Sequence, residues 1–187
     1  MMNTMGGGAG ITLELAAGSG QQREVLKITN SGTKEAIVAE GDISASGAYY
    51  GNRRFNVSST TDDNLTHGDI IYTGGGSTTL GDIVYMKTDG EWDSAQADAT
   101  STSTSLLGIA LGTDPDDDGV LLRGAYTLDH EVGDNQGVAL FLSDGTAGQA
   151  TVTAPSEEGE VVRVIGYNLG DDNQIWFCPD NTWVEIA

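Results

Sequence analysis

The side chains able to do chemistry in this sequence are few in kind. Acids are plentiful, with 28 Asp and Glu against 8 Lys and Arg, for a formal net charge of −20. There are two histidines, His67 and His130, each near acids: Asp69 in the first case, Asp129 and Glu131 in the second. A histidine oriented by a carboxylate can serve as a general base, but it needs a nucleophile in reach. No serine here lies in a Gly-x-Ser-x-Gly elbow. Two carboxylates flanking a sugar bond could hydrolyse it, yet with so many acids sequence position singles out no pair. The glycine runs 6–8 and 74–76 lack the Lys-Ser/Thr that completes a phosphate loop. No catalytic, cofactor-binding or metal-binding residue is therefore assigned, and the chain is expected not to be an enzyme.

Two further stretches carry a chemical signal. In DPDDDG, Asp114, Asp116 and Asp118 followed by Gly119 match the first half of a calcium loop, but Ala125 stands where the bidentate Glu belongs. The stretch reads as an acidic hairpin between LGIALG and VLLRG. Trp92 follows an Asp-Gly turn in DGEWD, a polar setting in which an exposed indole could stack on the C–H face of a sugar while acids accept its hydroxyls. It is the one candidate surface contact; the competing expectation is that it covers an open end of a barrel. Trp176 and Trp183 stand in apolar runs and are expected to be buried, and the lone Cys178, in IWFCP, to be a small buried hydrophobe.

The elements that must position these residues come as one β-rich unit written twice. GDIVYMKTDG (81–90), LLGIALG (106–112) and GVLLRGAYTL (119–128) are followed in the same order by GVALFLSDG (137–145), VIGYNLG (164–170) and QIWFCPDNTWVEI (174–186). Each copy has an apolar run ending in an Asp-Gly turn, a polar loop, a glycine-punctuated strand and a further apolar strand. Two copies are too few for a solenoid and predict one closed barrel or sandwich, with halves at about 81–130 and 137–187.

Residues 1–54 are thinly apolar and electrically balanced. Residues 55–187 hold only Lys87, Arg123 and Arg163 against 23 acids, which sets that half against nucleic acid. Short alternating stretches such as ITLELAA and EVLKITNSG predict strands that bury too little surface to order alone. They are expected to pair between chains, most simply in a homotrimer, which also removes unpaired edges. The expected division is an N-terminal assembly segment, 1–76, joined through a flexible TGGGSTT linker with its boundary near 74–79 to a C-terminal β domain, 77–187. No basic leader precedes an apolar run, and nowhere do about 18 apolar residues follow one another, so the chain is expected to be made in the cytoplasm without membrane insertion.

GDISASGAYYGN resembles segments of tailed-bacteriophage tail-fibre shafts. GDIVYMKTDGEWDSAQADATSTSTSLLGIALG, GVLLRG, APSEEGEVVRVIGY and IWFCPDNTWVEI resemble a distal domain of phage tail-fibre and related virion proteins. The resemblance spans about residues 40–187. It implies a virion structural protein, usually homotrimeric, on the tail or baseplate, in contact with other phage proteins and in some cases with a host-surface glycan. The chain is short and has no long repetitive shaft, so a short tail fibre or baseplate appendage is the leading expectation. A trimeric capsid decoration protein is the alternative, and a glycan depolymerase the rival of another class.

Overall fold

The protein is described by a computed structural model covering residues 66–170 and 172–187. All of these fall within one of the chain's two compact units, Asn52–Ala187. The expected N-terminal strands and their ordering by oligomerisation lie outside the described residues.

The described unit is all-β, as the sequence predicts. Nine strands form one antiparallel sheet: β1 (Thr66–Ile71), β2 (Ile83–Met86), β3 (Trp92–Ser94), β4 (Leu107–Ala110), β5 (Val120–Thr127), β6 (Ala139–Leu142), β7 (Ala150–Thr151), β9 (Val164–Asn168) and β10 (Gln174–Phe177). A two-stranded ribbon, β8 (Val161–Val162) with β11 (Val184–Glu185), stands apart, and the Ser/Thr tract holds one helical turn, α1 (Thr100–Ser103). The Asp-Gly turn of the first copy forms where expected. Gly90 takes φ +89°, its N–H bonds Lys87 O at 3.1 Å, and the N–H of Lys87 closes the hairpin on Glu91 O at 2.8 Å.

The sheet order β3-β2-β4-β5-β10-β9-β6-β7 has the same pairing scheme read from either end. In the first half β2 pairs with β3 and β4, and β4 with β5; in the second β6 pairs with β7 and β9, and β9 with β10. The two similar halves join where β10 meets β5. The outer strands are joined as well: Ile83 N–H donates to Gly148 O, Gly148 N–H to Ala95 O and Ala97 N–H to Ser143 O, each at 2.8 Å. The sheet thus curls until its two ends meet, which satisfies edge groups that would otherwise be open to other chains.

Strand β5 is the hub. One edge takes β4 at Val120–Leu121 and β10 at Gly124–Thr127, while the other is paired along its length by β1. Leu121 and Tyr126 both face the main core although five positions separate them, which strict alternation forbids. A bulge resolves this: Asp69 pairs with Arg123 and Ile70 with Leu121, so Leu122 is the extra residue. At the close approach of β1 and β5, Gly68 faces Gly124, and a Cβ on either would overlap a carbonyl of the other strand, Arg123 O or His67 O.

The main core gathers inward residues of both halves, among them Ile83, Leu107, Ile109, Leu121, Tyr126, Leu140, Leu142, Ile165, Ile175 and Phe177. A smaller cluster of Val84, Trp92, Ala110 and Val120 occupies the opposite face of the first half, with Ile71, Met86 and Leu122 packed on it. The chain before β2 covers this second cluster. Gly75 bridges to Glu91, Trp92 N–H donates to Gly75 O at 2.9 Å, and a Cβ on Gly74 or Gly76 would collide with Trp92. Residues 66–76, assigned by sequence to the N-terminal segment and its linker, are therefore packed into the β unit. The glycines there serve close contact with an indole, a use that composition alone does not distinguish from flexibility.

Candidate functional site

The residue singled out for a sugar face is in the core. Trp92 is 2 % exposed, and its indole N–H donates to Thr73 O at 2.8 Å, so both its ring and its polar handle are committed within the fold. The acids beside it supply the polarity that suggested exposure: Lys87 Nζ lies 2.7 Å from Glu91 and 3.4 Å from Asp89, a surface network on the turn. Trp183 departs from expectation in the other direction, at 42 % exposed, and Trp176 is half-buried. Trp183 follows the Asp180–Thr182 turn and directly precedes the short β11, outside any strand. Cys178 is half-buried, and burial raises its thiol pKa, with Arg123 acting in the opposite sense.

The two histidines occupy different elements. His67 lies in β1, opposite Ala125 of β5. His130, in the connection after β5, lies at a junction of the two halves. Its Nε2 accepts from Ala150 N–H at 3.0 Å and its Nδ1 lies 3.1 Å from Asp129 Oδ1. Nearby, Asp82 accepts from the Ser94 hydroxyl at 2.9 Å, and burial raises its carboxyl pKa. Serine, aspartate and histidine are thus neighbours, but the serine bonds the aspartate and both ring nitrogens are engaged elsewhere. The arrangement supports packing between the halves. In the acidic hairpin, Asp118 Oδ2 accepts from Asp114 N–H at 2.9 Å and Asp114 Oδ1 from Asp116 N–H at 3.1 Å. These carboxylates serve as turn caps, and among the described residues no group of three or more His, Cys, Asp or Glu side chains is arranged to hold a metal.

What the fold does present outward is an aromatic pair on the adjacent strands β9 and β10. Register places Ala139, Tyr167, Trp176 and Ala125 in one row across β6, β9, β10 and β5. Cross-strand partners share a face, and this face is opposite the one carrying Phe177 and Ile175. Tyr167 is 45 % exposed, and the Arg123 guanidinium lies 5.9 Å from the Trp176 ring centroid, within cation–π range. Comparison of the chain with family models, with curated proteins and with solved structures finds no match. Among the described residues no helix is long and apolar enough to cross a membrane.

A second feature went unnoticed in the sequence. Arg163, between β8 and β9, is only 4 % exposed. Its Nε donates to Asp180 O at 2.8 Å, and its Nη1 to Ser103 O at 2.7 Å and Ser105 O at 2.8 Å. It thereby ties the end of α1 to the segment after β10. Burial lowers its pKa, with Asp180 opposing. Beside it opens a cleft of about 470 Å³ lined by Thr104, Leu106, Leu122, Arg163, Pro179 and Asn181, together with Ser105 and Leu107. The one available signal was that an arginine interrupts VVRVIG, an otherwise apolar run.

Proposed function

We propose that this chain is a structural component of a bacteriophage virion, a short homotrimeric tail fibre or baseplate appendage whose C-terminal β unit meets the host surface and cleaves nothing there. The ordered strings that resemble distal fibre domains support the virion reading. The observation that carries host contact is the row Tyr167–Trp176 with Arg123: amphipathic rings on paired strands, held with little freedom to lose on binding, suit the face of a sugar. This surface replaces Trp92 as the anchor of the adhesive reading.

The test has two parts. Light scattering of the full chain is expected to give three times the 19.4 kDa monomer mass; a monomer at micromolar concentration would remove the trimer. Tyr167→Ala is expected to abolish adhesion to host cells with the oligomer and melting temperature unchanged, and retained adhesion would overturn the assigned surface. Release of oligosaccharide from host polysaccharide would overturn the non-enzymatic reading, and labelling the chain in intact particles separates a tail position from capsid decoration.

A further inference from the structure

Residues 55–187 contain three basic side chains. Lys87 is spent on Asp89 and Glu91. Of the other two, Arg163 lines the cleft. Leu122 lines the cleft beside Arg163 and is followed directly by Arg123; Cys178, near enough to feel the Arg123 charge, is followed directly by Pro179, which lines the cleft too. In a half of the chain that is otherwise a field of acids, the described lining of this cleft holds one cation, Arg163, and no carboxylate. Arg163 is moreover a buried cation bonded to carbonyl dipoles alone: among the described residues no carboxylate lies within ion-pair distance, and no hydrogen bond engages its Nη2. Removing a guanidinium from water without a counter-anion is costly, and an anion in the cleft would offset that cost. The Asn181 side chain, which lines the cleft, makes no hydrogen bond to the described residues, while Leu106, Leu122 and Pro179 supply an apolar wall. A carboxylate on a compact ring satisfies both sets of groups, and about 470 Å³ admits one or two sugar rings.

We propose that this cleft is a subsite for the carboxylate of an acidic sugar, a hexuronate residue, with Arg163 Nη2 and Asn181 facing the carboxylate and the leucines and Pro179 facing the ring. The inference rests on the host-contact reading above and adds the cleft to it. A carboxylate held by a largely buried guanidinium is screened less than the repulsion it meets from the surrounding acids, so affinity should hold or rise as salt increases from about 0.01 M to about 0.15 M.

The experiment is calorimetric or NMR titration of the full-length protein with a glucuronate-containing disaccharide and with the same disaccharide after reduction of its carboxyl to the alcohol. The acidic form is expected to bind at least about tenfold tighter than the reduced form, the scale of one charge-assisted hydrogen bond. Arg163 also holds three carbonyls, so the informative variants leave it in place. Leu106→Trp, at a residue 48 % exposed, fills the cleft from its wall. Asn181→Leu removes the amide. Each is expected to lower uronate affinity about tenfold while the melting temperature stays with the parent. Equal binding of acidic and reduced sugar, no binding of either, or undiminished binding by Leu106→Trp would each overturn the subsite. So would poly-glutamate binding as tightly as the uronate, which would make the cleft a site for protein carboxylates. If the uronate fails while the protein still adheres to host cells through Tyr167, the cleft alone is refuted; if adhesion is absent too, the host-contact reading falls with it.

Discussion

The N–H of Ala150, at the start of β7, donates to Nε2 of His130 at 3.0 Å, which places the ring's proton on Nδ1, where it meets Asp129 Oδ1 at 3.1 Å. The connection between the halves is thereby tied to the second half by a ring acceptor. His130→Phe keeps a ring but leaves the Ala150 N–H unpaired, at an expected cost of about 1–2 kcal/mol. His130→Gln, which can present a carbonyl oxygen, should recover part of it. Urea denaturation of the three proteins checks the order; equal stability of the Phe variant and the parent would remove the bond's importance.

Asp82 gives a pH dependence of defined sign. Burial raises its folded pKa, opposed by the Ser94 hydrogen bond, with Asp129 adding to the rise and His130 opposing it. The folded state then binds the proton more tightly than the unfolded chain, so this group's contribution to stability falls as pH rises from the ordinary aspartate range through the raised value. Above the raised value the penalty is fully present. Asp82→Asn can still accept from Ser94, and should stabilise the protein at pH 7 by a few tenths of a kcal/mol, allowing for partial solvent exposure. The gain should vanish below about pH 3, where the aspartate is protonated in both states. Melting curves across pH test this, and a gain that grew on acidification would have the wrong sign.

Trp92→Ala is expected to destabilise by about 3–5 kcal/mol, because it empties the centre of the second cluster and leaves Thr73 O without its donor. Trp92→Phe retains most of the volume and should cost less. Adhesion, scored on protein that remains folded, should follow stability in this pair and not the identity of the ring.

Arg163→Met should cost about 3 kcal/mol or more. It removes the donors to Ser103 O, Ser105 O and Asp180 O together, and the buried carbonyls have no replacement in a thioether. Chemical denaturation measures the loss. Hydrogen exchange should localise the first loosening to residues 99–106 and 178–182.

Strand identity in the β unit was legible in the sequence because apolar β-branched runs and Asp-Gly or glycine punctuation are local signals. LLGIALG and VIGYNLG became β4 and β9, and their partners followed in matching order. Exposure was not legible, since it depends on which segment comes to lie over a strand. Trp92 looks solvated beside Asp89, Glu91 and Asp93 until the glycines at 74–76 fold over it, and Trp183 looks buried until the strand after it proves to be two residues long and to begin at Val184. Tyr167 and Arg123 gave no separate signal, because the row they border exists only across four strands and is shifted by the bulge at Leu122. Arg163 acquires its importance from carbonyls 60 and 58 residues away, a separation that no local pattern encodes.

The position of β5 has a consequence for how the molecule assembles in time. Beside its local neighbour β4, this strand receives β1 from about 50 residues earlier in the chain and β10 from about 50 later, and these two arrive only after long loops have closed. The hairpins β2–β3 and β6–β7 are short-range and can form early, whereas the seam they depend on must wait for synthesis of nearly the whole chain. Refolding should therefore be slow for a domain of this size, in the range of milliseconds to seconds or longer. On the ribosome, a chain halted before residue 174 would hold β5 with its Gly124–Thr127 edge unmatched, the stage at which a nascent copy is most open to pairing with another.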